Sequence, residues 1–118
     1  MSKNRIVVLA ISAVAAALLL AIPAGAKSQA TTVTVTEGSP EFSIKVSSKS
    51  VKAGPVTFKV TNKGNLPHDF KIGTKKTALL SPGKSATLTV TLKSGKATYM
   101  CTVSGHAAAG MKGTITVS

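Results

Sequence analysis

Acidic residues are nearly missing from this chain: Glu37, Glu41 and Asp69 stand against 15 lysines and arginines in 118 residues. Tryptophan is absent, tyrosine and cysteine occur once each, and histidine occurs twice. Each shortage removes a class of function. So few carboxylates cannot supply the oxygen-rich cage that calcium or magnesium requires. A lone cysteine cannot form an internal disulfide, although small exported domains usually spend cysteines in pairs. Scattered single lysines without interleaved aromatic side chains offer no stacking platform, so nucleic acid is not the expected partner. After residue 26 no stretch carries a helical period of useful length, and no internal repeat, linker or low-complexity segment interrupts the chain.

What is present begins with an export signature. Lys3 and Arg5 form a positive start, Ile6 to Ile22 is an apolar run broken only by Ser12, and Ala24-Gly25-Ala26 supplies a small-residue cleavage site. Residues 1–26 are therefore expected to be a secretory signal, with 27–118 as one domain in an extracytoplasmic, periplasmic or secreted setting. That domain holds 13 lysines against three acids, a formal charge of +10. The excess predicts attraction to anionic partners, among which an acidic redox protein or the anionic envelope surface suits an exported chain better than nucleic acid. A monomer is expected.

Short runs of alternating polarity recur between turn signals. Val33 and Val35 alternate with threonines, and Phe42, Ile44 and Val46 alternate with Ser43, Lys45 and Ser47. Val56, Phe58 and Val60 repeat the pattern, as do Ala86, Leu88, Val90 and Leu92, while Gly54-Pro55, Ser81-Pro82-Gly83 and Ser94-Gly95 mark turns. His68 to Ile72, Ala97 to Cys101 and Gly113 to Val117 read as further strands. Period-two patterning at this spacing predicts an all-β fold, a small Greek-key sandwich or barrel of about seven antiparallel strands.

The chemistry concentrates in Cys101-Thr102-Val103-Ser104-Gly105-His106-Ala107-Ala108-Ala109-Gly110-Met111. A thiol, an imidazole and a thioether stand five residues apart on a predicted loop, with glycines where the chain must bend. A lone thiol in an oxidising compartment needs something to hold it, and a metal does so. The second histidine, His68, lies 33 residues upstream in Leu66-Pro67-His68-Asp69-Phe70. By itself it is a polar residue beside a strand, and its case is that it completes the set. Two imidazoles and a thiolate with a weak axial thioether form the ligand set of a blue-copper centre, whereas zinc seldom recruits methionine. The metal-binding residues are thus expected to be His68, Cys101, His106 and Met111. Asp69 and Thr102, each following one of these residues, are candidates to hydrogen-bond between the two segments.

Tyr99 to Gly113 resembles the copper loop of the cupredoxins, the plastocyanin/azurin superfamily, and Pro67-His68-Asp69-Phe70 resembles the segment bearing their first histidine ligand. Four residues between cysteine and histidine, and four between histidine and methionine, is the spacing of rusticyanin-type members. Many members carry asparagine where this chain has Asp69. The resemblance implies a Greek-key β-sandwich with one type 1 copper at one end, cycling between Cu(I) and Cu(II) as a one-electron carrier between redox proteins. It also implies an apolar docking patch around His106, here Leu66, Pro67 and Ala107 to Ala109, ringed by lysines. One cysteine excludes a dinuclear copper-A centre, and one domain with two histidines excludes multicopper oxidase or nitrite reductase chemistry, so no enzyme is expected. The competing reading is extracytoplasmic copper handling without electron transfer, which usually relies on several methionines or a C-x-x-C pair that this chain lacks.

Overall fold

A computed structural model describes residues 31–118; the expected signal segment 1–26 lies outside the described residues. Nine strands form two facing sheets and no helix occurs among the described residues: β1 (Thr31–Glu37), β2 (Ile44–Val46), β3 (Ser50–Val51), β4 (Gly54–Asn62), β5 (Lys71–Ile72), β6 (Lys75–Lys76), β7 (Ser85–Leu92), β8 (Gly95–Met100) and β9 (Lys112–Val117). One sheet runs in the order β2-β1-β4-β7 and the other β3-β9-β8-β5-β6.

The all-β sandwich matches the expectation, but the pairing is mixed rather than purely antiparallel. β1 pairs parallel with β4, and β3 parallel with β9. The reason lies in the connections. A tight turn sends β2 back antiparallel on the outer edge of β1, and β3 crosses to the opposite sheet, so β4 returns on the other edge of β1 in the same direction. Two very short elements, β3 and the β5–β6 hairpin, account for the extra strands beyond seven. Single lysines and a two-residue span leave no alternation to read.

The core forms where alternation points inward from both sheets. Val33 and Val35 from β1, Val56, Phe58 and Val60 from β4, Ile72 from β5, and Ile115 and Val117 from β9 are buried together. Phe70 lies between Phe58 and Tyr99, with ring centroids 5.3 and 5.7 Å away. Each such side chain withdrawn from water contributes roughly 1.5–3 kcal/mol. Phe42 departs from the alternation read in the sequence. It sits in the β1–β2 turn before β2 begins, 42% exposed, and takes no part in this core.

The inward register of β1 ends on a carboxyl. Glu37 is fully buried, opposite Asn62 of β4 and Ile44 of β2, and neither of its side-chain oxygens has a hydrogen-bond partner. Burial first, and the nearby charge of Asp69 second, raise its pKa to about 8. It is therefore a neutral acid at pH 7.

Candidate metal centre

One end of the sandwich gathers two irregular segments, residues 62–70 and 101–111. The first is held by side chains rather than by a ladder. Asn62, fully buried, donates from Nδ2 to the carbonyls of Leu66 and Leu80, both at 2.8 Å, and its Oδ1 accepts the Gly64 N–H at 2.8 Å. His68 exchanges backbone hydrogen bonds with Leu80 as an isolated bridge, at 3.0 and 2.7 Å. Phe70 then donates its N–H to the Thr77 hydroxyl. His68 thus precedes β5 instead of lying within the strand expected from His68 to Ile72, since strand pairing starts only at Lys71.

The second segment leaves β8 at Cys101 and rejoins β9 after Met111. These two residues continue the β8–β9 register by one pair, the Cys101 N–H donating to the Met111 carbonyl at 3.0 Å. Between them the chain closes on itself: the His106 N–H donates to Val103, that of Ala109 to Gly105 and His106, that of Gly110 to Ala107, and that of Met111 to His106. Gly105 (φ +82°) and Gly110 (φ +128°) supply the conformations this winding needs. A Cβ on Gly110 would also stand 3.1 Å from the Phe42 carbonyl.

The two segments are tied together by Asp69. Its Oδ1 accepts the Thr102 N–H at 2.6 Å, its Oδ2 accepts the Thr102 hydroxyl, and its own N–H donates to Cys101 Sγ at 3.4 Å. This brace brings three donor atoms from distant positions to one place. His68 Nδ1 and His106 Nδ1 are 3.0 Å apart, and Cys101 Sγ is 3.9 Å from the first and 3.6 Å from the second. A point equidistant from all three atoms lies about 2 Å from each, the length of a metal–nitrogen bond. His68, Cys101 and Met111 are buried and His106 is partly exposed. Met111 is placed by its backbone beside both Cys101 and His106 and is fully buried.

The thiol enters this site protonated. Burial pushes the Cys101 pKa up; N–H groups of Asp69 and Val103 oppose the shift, and the charges of Asp69 and Glu37 add to it. A metal must displace that proton, which copper coordination does readily.

Two residues in the β1–β2 turn, Glu41 and Phe42, complete the surroundings, and no sequence motif marks either as a site residue. Glu41 reaches across to the 62–68 segment, where its carboxylate meets the Nε2 of His68 at 3.1 Å. The Asn65 N–H foremost, then those of Leu66 and His68, hold its carboxyl below the usual range against some desolvation. Phe42 stands edge-on to the His106 ring at 5.3 Å and 76°. Scarcity is the signal that was available for Glu41. In a chain with three acids, each is conspicuous, and none of them lies free on the surface: Glu37 and Asp69 are buried and Glu41 is bound by N–H groups. The twelve lysines from Lys45 onward are all exposed.

The chain matches the cupredoxin-like domain family over residues 8–117 and belongs to that family. No curated protein sequence is significantly similar to it. Among solved structures it is similar to rusticyanin, described as a copper protein, at 25% identity and a TM-score of 0.62, covering 74% of this chain and 76% of that one. It is similar also to auracyanin A from Chloroflexus aurantiacus, described as a "blue" copper protein, at 16% identity and a TM-score of 0.63, covering 76% and 100% of the two chains. Auracyanin from Roseiflexus castenholzii shares 21% identity at a TM-score of 0.61, with 75% and 98% covered.

Proposed function

We propose that this protein is a blue-copper electron carrier in which His68 Nδ1, Cys101 Sγ, His106 Nδ1 and Met111 would hold one type 1 copper ion. The convergence of two Nδ1 atoms and one Sγ on a common point carries the reading, supported by family membership and by the copper in the names of rusticyanin and auracyanin A. Copper bound there supplies a one-electron couple between Cu(I) and Cu(II). The chain's part is to keep the donor atoms in one arrangement for both oxidation states. Asn62 fixes the turn before His68, the Asp69–Thr102 pair fixes the separation of the two segments, and the Cys101–Met111 hydrogen bond closes the loop. Three buried ligands and a fourth that is only partly exposed would shield the ion from water and leave little room for a substrate, which suits a carrier better than an enzyme. Burial also disfavours copper hand-over, which needs exchangeable ligands.

One equivalent of Cu(II) added to the purified protein is expected to produce an intense thiolate-to-copper absorption toward the red end of the visible spectrum. A reductant should bleach the band and an oxidant restore it over repeated cycles. Binding without the band, or a band that does not survive one cycle, rejects the electron-carrier reading; rapid loss of copper to a chelator favours copper handling instead.

Export follows from the signal reading of residues 1–26, with 27–118 as the working domain, and the redox partner presents an acidic docking face. Leu66 and Phe42, 41% and 42% exposed, give an apolar surface near His106. The strand register sets Lys76, Lys71, Met100 and Lys112 side by side across β6, β5, β8 and β9, a cationic row whose Met100 immediately precedes Cys101. Attraction through this row should accelerate encounter at low salt and fade within the shortened Debye length at high salt. Lys71→Glu with Lys112→Glu is expected to flatten the salt dependence of the second-order electron-transfer rate with an acidic partner. An unchanged slope removes these lysines from docking.

A further inference from the structure

The β1–β2 turn contributes a carboxylate whose hydrogen-bond partners all lie in the segment carrying His68. Oε1 of Glu41 accepts the Leu66 N–H at 2.8 Å and stands 3.1 Å from His68 Nε2; Oε2 accepts the Asn65 N–H at 2.8 Å. The opening that admits it is made by a glycine. A Cβ on Gly64 would lie 2.7 and 2.9 Å from the two Glu41 oxygens and 2.9 Å from the Cα of Gly38. Glu41, Gly64 and His68 therefore form one constructed unit whose ends are 27 positions apart in sequence, in a protein that places no other carboxylate against a histidine among the described residues.

We propose that Glu41 is the positioning residue of the copper centre: it holds His68 with the proton on Nε2 and the Nδ1 lone pair turned toward Cys101 and His106, and it places a negative charge behind that ligand. The inference rests on the copper reading above and deepens it. A neutral imidazole carries one N–H, and which nitrogen bears it is set by the hydrogen bond the other face makes. Two backbone N–H groups and Nε2 all converge on the Glu41 oxygens, so the carboxylate can only accept. That leaves Nε2 as the protonated nitrogen and Nδ1 as the free donor. A carboxylate accepting from a ligating imidazole also makes the ring a stronger donor, which favours Cu(II) over Cu(I).

The test uses the full-length protein with Glu41→Ala and Glu41→Gln. Glutamine keeps one oxygen for Leu66 and His68 but loses the charge and turns an amide group toward the Asn65 N–H. Alanine is expected to lower copper affinity, measured by competition with a chelator, by about 10–100-fold, with glutamine recovering most of the loss. Glutamine should also raise the reduction potential; if the Cu(II)-to-Cu(I) affinity ratio falls tenfold, the rise is about 59 mV. A readout free of copper comes from nitrogen NMR of the metal-free protein. The wild type should show His68 protonated at Nε2 alone, and Glu41→Ala a mixture of tautomers, with the amide spectrum outside residues 38–43 and 62–68 unchanged. Wild-type affinity and potential in both variants, or an Nε2-protonated His68 in Glu41→Ala, overturns the proposal. Equal loss in alanine and glutamine variants, with no change of tautomer, also overturns it and leaves Glu41 a loop clasp. A wild-type protein that binds no copper instead defeats the copper reading, which the same titration reports separately.

Discussion

Cys101→Ser is expected to abolish the visible absorption of the copper-treated protein completely while leaving the sandwich folded. The band arises from charge transfer between a thiolate and Cu(II), and a serine hydroxyl neither ionises at neutral pH nor offers a soft donor. Serine is close to cysteine in volume, and the Asp69 N–H that now meets Sγ at 3.4 Å finds an oxygen acceptor in its place. The fold should therefore lose no more than about 1–2 kcal/mol from burying the hydroxyl. Far-ultraviolet circular dichroism and the visible spectrum, recorded on the same sample, separate the two effects. A band that persists in the folded variant places the chromophore elsewhere. The same thiol sets a pH dependence of loading. Because burial keeps it protonated through neutrality, copper uptake releases a proton, and apparent affinity should fall about tenfold for each unit of acidification from pH 8 to pH 6. Uptake that is flat over that range contradicts a protonated resting thiol.

Glu37 has the second large effect, on stability and not on colour. Its folded pKa of about 8 lies above the ordinary value of 4.5. The folded state therefore binds a proton that the unfolded chain has already released between those limits, and stability must fall as pH rises from about 4.5 to about 8. Below that window the contribution is fully present; above it, it is lost. The direction is opposite to the usual carboxylate case. Glu41, whose carboxyl is held low, acts in the usual direction and loses its contribution only below its ordinary value. At pH 7 the cost of the buried Glu37 comes to about 3 kcal/mol, a substantial part of the roughly 5–15 kcal/mol available to a small domain. Glu37→Gln keeps the shape and the unpartnered polar atoms but removes the titration. The copper-free variant should match wild type near pH 5 and melt some 10–20 °C higher at pH 7, with a nearly flat profile to pH 8. Parallel melting curves for the two proteins across that range are the outcome that refutes a buried neutral acid at this position.

Both effects trace to one end of the fold. Its acids serve three different purposes there: Asp69 braces the 62–70 and 101–111 segments, Glu41 contacts His68, and Glu37 lies buried without a partner. Glu37 and Asp69 are buried and Glu41, only partly exposed, is engaged by N–H groups, which leaves the surface lysines largely unopposed. The scarcity of acidic residues and the basic surface are thus two views of the same arrangement.

The sequence by itself determined the class of fold and named the residues proposed as the donor set. Alternating β-branched residues between glycine and proline turns specify a sandwich because period two puts every second side chain on one face. A lone cysteine, a histidine and a methionine at equal spacing define a soft loop because their chemistry is local to the residues themselves. The Asp69–Thr102 bond between the two segments was also legible, because each residue follows a candidate ligand. Tertiary structure decided the other features that depend on residues far apart in the chain. It decided the parallel pairing of β1 with β4, since the edge a strand takes depends on where the intervening strands have gone. It moved Phe42 from an expected core face to the ring of His106, because the turn delays the start of β2 to Ile44. It fixed the place of His68 through backbone bonds to Leu80 and a side-chain contact with Glu41, neither of which leaves a mark near His68 in the sequence. Periodicity records which face a residue takes within its own strand. Only closure of the two sheets brings groups more than 30 residues apart within hydrogen-bond distance, and the centre is assembled at that distance.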